Sequence, residues 1–534
     1  MPAMLAWIRS ALGAAARPAG QLLSQAQAAY AAGAPDRARR LGLRLLRRSP
    51  RDPRALELLA AIAADAGNTE EGLQWARRAQ AADAGAASPH YVMGRLWQEA
   101  GRLTDAEASY RRAIALQSDH ARAHNNLGCV LHMQGKLQEA LAAYRRALDL
   151  DPGLPQANQN YASIVRDAGA LERAVTVYLR HTAAHPDDAM ALNDLGNAYR
   201  ELGRYQDALA AFERALALAP DLPQAHFSRS FVLLLLGEYR AGWREYEWRW
   251  RIGAFNGPMR RFRQPAWDGR RIERGTLLLH AEQGLGDTLQ FARYAPLAAE
   301  RCESVALECQ PELATLLRGT AGLGRVLAKG ESLPPFVVHA PLMSLPAIFG
   351  TTLDDIPWRG PYVAADPERV AAWRSAIAGS GLKVGLVWAG RPQQWDDRKR
   401  SLSLDLLAPL ARVPGVDFYS LQVGAAAAQA ARPPDSMRLV DLAARIKDFS
   451  DTAAIAAGLD LVITIDTSVA HLAGAMGVPV WVLVAYAPDW RYHLERDDQP
   501  WYPSMRLFRQ ERDGDWSGAI ARVAEALARR AVPE

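Results

Sequence analysis

The stretch ARAHNNLGCVLHMQGKLQEALAAYRRALDLDP, residues 121–152, decides the fold of the first half of this chain. It reads as two amphipathic segments parted at Gly135, with a small residue at Ala140, an aromatic at Tyr144 and a proline at Pro152. The same register runs outward in both directions. Glycine stands at 33, 67, 101, 135, 169, 203 and 237, a step of 34 every time. A small residue follows at Ala38, Gly72, Ala106, Ala140, Ala174, Ala208 and Gly242, and an aromatic at Tyr110, Tyr144, Tyr178, Phe212 and Tyr246. Proline recurs at Pro50, Pro152, Pro186 and Pro220. Each unit is a helix–turn–helix. The glycine ends the first helix in a left-handed conformation that costs little only without a Cβ. The small residue admits a close second helix, the aromatic fills the gap to the neighbouring unit, and proline stops the second helix. One such pair cannot bury its own apolar face, so the units must stack into a solenoid.

This register resembles the tetratricopeptide repeat, whose period it shares. In such arrays the first helix of each unit lines the concave face. There the sequence places Asn125, Asn126, Gln159, Asn160, Asn193 and Asp194. Asparagine both donates and accepts, so a row of these residues can clamp an extended peptide without reading its sequence; it reads equally as ordinary polar residues on a solvated face. The last unit runs into Trp243, Tyr246, Trp248 and Trp250, interleaved with Arg244, Arg249 and Arg251, which suits a cap docking the array onto the next domain. Residues 253–274 read as a linker.

The second half repeats a different theme. Thr276–His280 is a β-type run followed by Ala281-Glu282-Gln283-Gly284-Leu285-Gly286-Asp287 and a helical pattern from Thr288 to Arg301. Strands are expected near Val305–Glu308 and Phe336–His339, and a helix over Pro367–Ala378. Lys383–Gly390 is a second strand into a glycine turn, and its loop carries Arg398, Lys399 and Arg400. A basic loop at the C-terminal end of a parallel strand is where open α/β sheets bind phosphate; the plainer alternative is a solvated charge cluster. Leu461–Ile465 is a strand, Asp466-Thr467-Ser468 a turn with N-capping residues, Val469–Met476 a helix carrying His471, and Pro479–Val484 the next strand. The amides of Thr467, Ser468 and Val469 would converge on one point at the positive end of a helix, a natural anion site.

These elements resemble the heptosyltransferase-like glycosyltransferases of the glycosyltransferase B fold, two Rossmann-like halves facing a cleft. Joined to tetratricopeptide repeats, the layout is similar to O-linked N-acetylglucosamine transferase and to bacterial flagellin glycosyltransferases. The resemblance implies boundaries at 19–252 for the array, 275–378 for an acceptor-side half and 379–534 for a donor-side half. It implies an inverting transfer from a nucleotide-sugar without metal or other cofactor. Asp287 would be the general base, although its position also suits a helix N-cap; His471 would bond phosphate or the leaving group. Gly284, Gly286, Arg398, Arg400, Asp466, Thr467, Ser468 and Val469 would bind the donor. Asn125, Asn126, Asn160, Asn193 and Asp194 would bind a protein acceptor. The chain departs from these relatives where many carry an asparagine–histidine pair: it has Gln393-Gln394-Trp395-Asp396. The same donor chemistry on a lipid-linked or polysaccharide acceptor, or a repeat scaffold with an inactive transferase region, are the alternative readings.

Bulk properties narrow the field. A net charge of +5 over 534 residues, with no dense basic block, does not suit a nucleic-acid binder. Cys129, Cys302 and Cys309 form neither a disulfide framework nor a zinc motif. Asp513-Gly514-Asp515 reads as a polar turn. Gly-x-Gly at 284–286 lacks the third small residue of a dinucleotide fingerprint, since Leu289 stands there. The first twenty residues carry Arg9 and Arg17 around short apolar runs and lack a signal-peptide core, and Phe231–Leu236 is too short to span a bilayer, so a cytoplasmic protein is expected. Oligomeric state is left open.

Overall fold

The computed structural model describes residues 18–151, 154, 157, 160–161, 164, 171–252, 262–391 and 397–531. Arg9, Arg17, Pro152, Gln159, Gly169, Gln393–Asp396 and the Arg398 side chain lie outside the described residues. The chain forms two compact units, Met1–Ala198 and Tyr199–Glu534.

The first unit is built from antiparallel helix pairs, among them Pro53–Asp65 with Thr69–Ala82, Ser88–Glu99 with Leu103–Leu116, and Ala121–Met133 with Leu137–Leu150. The turn chemistry is the one the glycine register predicts. Gly33, Gly67, Gly101 and Gly135 all have φ between +72° and +76°. The residue after each glycine donates its N–H five residues back: Ala34 to Ala29, Asn68 to Ala63, Arg102 to Trp97 and Lys136 to Leu131, at 2.8–2.9 Å. This closes each first helix with a Schellman motif. The small positions are packing constraints. Ala38, Ala106, Ala140 and Ala174 are fully buried, and a Cβ at Gly72 would lie 2.9 Å from Leu96 Cδ1. The aromatics do more than fill the gap to the next unit. Tyr110 lies against Gly94 of its own pair, where a Cβ would come within 2.6 Å of the ring, and Tyr144 lies against Gly128 in the same way.

The second unit contains the helices Tyr205–Leu218, Pro223–Leu235 and Tyr239–Tyr246, then two parallel sheets. Gly203 and Gly237 keep the left-handed turn at +75° and +86°. The first sheet has strands β1 (Ile272–His280), β2 (Cys302–Cys309), β3 (Arg325–Ala328) and β4 (Val338–Pro341), ordered β3-β2-β1-β4. The second has β5 (Leu382–Val387), β6 (Val416–Ser420), β7 (Leu439–Asp441), β8 (Leu461–Ile465), β9 (Val480–Val484) and β10 (Met505–Arg509), ordered β10-β9-β8-β5-β6-β7. Every named pairing is parallel. The second sheet has the doubly wound order 3-2-1-4-5-6, with its switch point between β5 and β8. β5 and β8 read as nearly unbroken apolar runs because both their faces are covered.

Some boundaries differ from the periodicity. The helix expected over 288–301 is broken into Leu285–Phe291, a 3-10 turn at Ala292–Tyr294 and Ala295–Ala299. Pro296 is tolerated there because it opens a new helix. Ile272–Arg274, read as linker, begin β1, and Trp267 is buried with its N–H on His339 O at 2.8 Å. Three aromatics at the end of the repeat register are core. Tyr239, Trp243 and Tyr246 are buried together with Trp490 and Trp501. The Trp501 indole donates to Tyr239 Oη at 3.1 Å. Arg249, wholly buried, forks onto Glu282 at 2.9 and 3.2 Å and reaches Ser344 at 2.8 Å. No helix among the described residues is long and apolar enough to cross a membrane.

Candidate functional site

Gly284 is the N-cap of the helix Leu285–Phe291 that follows β1. Asp287 therefore sits at the third helical position and is not the N-cap itself. Its Oδ2 accepts the Gly284 N–H at 2.8 Å, which closes the helix start from inside. Its other oxygen meets the Arg491 guanidinium. Arg491 also donates from Nε to Gln290 at 2.6 Å and from a terminal nitrogen to Asp489 at 2.8 Å. The cation is thus held between two carboxylates. Burial pushes the Asp287 carboxyl above its ordinary value, and the charge of Arg491 opposes that rise. The side chain is 19% exposed, and both its oxygens are engaged, one by Gly284 and one by Arg491.

His471 comes to this point from the other sheet. It lies on the helix Ser468–Ala475, after β8. Its ring covers Gly286, where a Cβ would stand 2.7 Å from His471 Cδ2. Nδ1 faces Tyr502 Oη at 3.2 Å. Burial, with Arg491 adding repulsion, pushes its pKa down to about 3, so the imidazole is neutral at neutral pH. The two glycines have local duties: the Gly284 amide is spent on Asp287, and the space above Gly286 is taken by His471.

At the switch point of the second sheet, the loop after β5 is tied down by polar bonds. Gln422 Oε1 accepts from Trp388 N and Ala389 N at 3.0 and 2.8 Å. Ser401 Oγ joins Gly390 N to Asp397 at 2.9 and 2.8 Å. The short helix Asp397–Arg400 carries the basic residues. Arg400 stands 3.6 Å from Asp466 and 3.8 Å from Asp397. Asp466 accepts the Tyr492 hydroxyl at 2.7 Å, which suits a residue that orients the loop. Thr467 occupies the N-cap of Ser468–Ala475, but its hydroxyl turns to Thr464 at 3.0 Å and makes no capping bond. The amides of Ser468 and Val469 precede the first turn bond, Ala470 N to Thr467 O at 3.0 Å. A small cleft opens here, lined by Lys399, Arg400, Asp466, Asp489 and Tyr492 on the sheet side and by Arg200, Glu201 and Tyr205 on the other.

The helices that carry Asp287 and His471 are thus brought together at Gly286, and Arg400 and Asp466 share one cleft. Sequence reasoning missed Arg491, Asp489 and Tyr502. Asp489 and Arg491 lie in an aromatic-rich turn, where Trp490 and Tyr492 are buried on either side of Arg491. The available signal was two opposite charges inside a turn just beyond a buried strand of the switch-point sheet.

In the first unit the asparagines bond to each other. Asn160 donates to Asn125 at 3.0 Å, Asn125 to Asn126 at 3.1 Å, and Asn126 to Tyr91 and Tyr110 at 3.3 and 3.4 Å. Asn193 donates to Asp194 at 3.3 Å. Asn125 and Asn193 are buried and Asn126, Asn160 and Asp194 half-buried; Asn125, Asn126 and Asn160 form one bonded strip and Asn193 with Asp194 a separate pair. Family models described as tetratricopeptide repeat match residues 23–87, 91–155, 131–195 and 189–222. The chain carries tetratricopeptide repeats. A curated relative, protein FlbA of Caulobacter vibrioides, is 31% identical over 335 residues, 57% of this chain and 55% of FlbA. The chain therefore spans about half the length of that relative. Among solved structures, YrrB, a tetratricopeptide protein with an unusual peptide-binding site, is 20% identical with a TM-score of 0.30, covering 34% of this chain and 95% of its own. MamA is 22% identical with a TM-score of 0.28, covering 31% and 96%.

Proposed function

We propose that this tetratricopeptide protein is an inverting glycosyltransferase of the glycosyltransferase B type, which moves a sugar from a nucleotide-sugar to a protein engaged by its repeats. The observation that carries the reading is the packing of His471 on Gly286, the residue before Asp287. The two helices follow β1 of one parallel sheet and β8 of the other, and Arg491, which pairs with Asp287, also holds Asp489 of a charged cleft at a switch point. In the proposed reaction the acceptor hydroxyl oxygen attacks the anomeric carbon. The bond from that carbon to the phosphate oxygen breaks on the opposite face, and its electron pair leaves with the nucleoside diphosphate. The hydroxyl proton passes to the Asp287 carboxylate, whose raised pKa brings it nearer the working range of a base. Arg400 and the amides of Ser468 and Val469 receive the leaving diphosphate. His471, neutral, offers a hydrogen bond without adding a charge that must be dispersed. Arg398, Asp466 and Thr467 complete the proposed donor loop, with Gly284 and Gly286 shaping the turn. The protein acceptor is assigned to the row Asn125, Asn126, Asn160, Asn193 and Asp194. There the buried Oδ1 of Asn193 lacks a hydrogen-bond partner among the described residues.

The test pairs nucleotide binding with transfer. Wild type should bind one of UDP, GDP, ADP or CMP and transfer the matching sugar. Asp287→Asn should keep nucleotide affinity and lose transfer by about 10²–10⁴-fold, the usual worth of a general base. Unchanged transfer by the variant removes Asp287 as base. Absence of both binding and transfer in wild type leaves the repeat scaffold as the reading.

A further inference from the structure

We propose that Glu201, the last residue of the helix Ala189–Glu201, is a positioning residue of the phosphate cleft: it holds Lys399, and through it the basic turn Asp397–Arg400, where the donor's phosphates dock. The inference rests on the nucleotide-sugar reading above. Its ground is a contact between two parts of the chain with unrelated sequence patterns. Glu201 Oε2 lies 2.6 Å from Lys399 Nζ, across 198 positions of sequence, with the carboxylate 11% exposed and the lysine 33%. Its neighbour Arg200 also faces the cleft and lies over the Phe231 ring at 5.4 Å. The other side of the turn is anchored by Asp397 through Ser401 to Gly390. Glu201 supplies the anchor from the helical side.

The sign of the effect separates positioning from simple charge. Arg200, Lys399 and Arg400 share this cleft with Glu201, Asp466 and Asp489. If Glu201 contributed only its charge, removing it would make the cleft more positive and tighten an anion. If it positions Lys399, removing it releases a long, flexible side chain whose ordering then opposes binding. Affinity falls, although Coulomb's law alone says it should rise.

The experiment uses the full chain and isothermal titration with UDP, GDP, ADP and CMP, on wild type, Glu201→Ala, Lys399→Met and the double variant. Each single variant should weaken the nucleotide that wild type binds by about five- to tenfold. The double variant should be no weaker than Lys399→Met, because residues acting through one contact are not additive. With the matching sugar donor, KM should rise and kcat stay within about twofold. Glu201→Asp should recover part of the affinity. Equal thermal midpoints show that the variants are folded; if Glu201→Ala is not, Glu201→Gln takes its place in the cycle. Binding by Glu201→Ala equal to or tighter than wild type overturns the proposal, as do losses that multiply in the double variant. A wild type that binds none of the four nucleotides overturns the transferase reading itself, and this inference falls with it.

Discussion

Gly286→Ala tests the meeting of the two sheets without assuming any activity. The added Cβ would stand 2.7 Å from His471 Cδ2 and 3.4 Å from Nε2. The first distance is well inside contact, so something must move. The ring has little room to do so: His471 is buried and its Nδ1 faces Tyr502 Oη at 3.2 Å. The backbone of Gly286 is held as well, because the helix start is closed by the Gly284–Asp287 bond at 2.8 Å. Overpacking of this kind costs about 1–3 kcal/mol. That corresponds to a fall of roughly 1.5–4 °C in the thermal midpoint of the second unit. The assay is differential scanning calorimetry of four proteins: wild type, Gly286→Ala, His471→Ala and the double variant. In the double variant the methyl finds the space the ring has left, so the cost of Gly286→Ala should largely vanish. A loss below about 0.5 kcal/mol in the single variant, the range of an ordinary surface change, refutes the packing of His471 on Gly286. So does a loss of the same size whether or not His471 is present.

The same geometry has other consequences. His471, with a pKa of about 3 in the folded chain, is neutral in both states above its ordinary value near 6.5. Below that value the unfolded chain takes up a proton that the folded chain refuses. Stability should therefore fall as pH drops from about 6.5 toward 3, by up to about 1.4 kcal/mol per pH unit from this group, and His471→Phe should flatten that slope in urea titrations. Tyr239→Phe removes the hydroxyl that accepts the Trp501 indole and touches His493, both at 3.1 Å. It leaves a buried N–H unmet, and should cost about 1–3 kcal/mol by denaturant unfolding. Arg249→Met strands the Glu282 carboxylate, whose side chain is only 5% exposed, and should destabilise by about 3–5 kcal/mol; Arg249→Met with Glu282→Leu should recover most of that loss.

The parts of the fold legible in sequence are those fixed by local chemistry. The left-handed glycines at 33, 67, 101, 135, 203 and 237 announce themselves, because no other residue takes that conformation as cheaply. β5 and β8 were visible as short apolar runs ending in turn residues. β3, β6, β7 and β10 were not named, since the edge strands β3 and β7 span only four and three residues and carry little pattern. The site divides in the same way. Asp287 and His471 stand out because each follows a strand and opens a helix. Arg491 does not, because what brings it to Asp287 is a fold-back across 204 positions of sequence, which no local pattern records. The asparagines were legible as a row but not as a chain of mutual bonds, which depends on rotamers set by packing across helix pairs.

The same distinction separates the end of the repeat register from the edge of a compact unit. The glycines continue to Gly237 and the small positions to Gly242, so by pattern the solenoid runs to the end of the last helix pair. By packing, the second compact unit begins at Tyr199. The terminal helices bury Tyr239, Trp243 and Tyr246 in the α/β core beside Trp490 and Trp501, as a solenoid end that must cover its last apolar face requires. A chain cut at residue 253, where the register stops, would lose those three aromatics and Arg249, each worth several kcal/mol when truncated from a core. That sum exceeds the roughly 5–15 kcal/mol that holds a typical protein folded. A chain beginning at 199 keeps every one of these contacts. Limited proteolysis and near-UV circular dichroism of the two truncations should show a folded protein starting at 199 and a molten or aggregated one starting at 253. A stable, natively packed chain from 253 onward would mean that these helices are an appendage to the sheets and no part of their core.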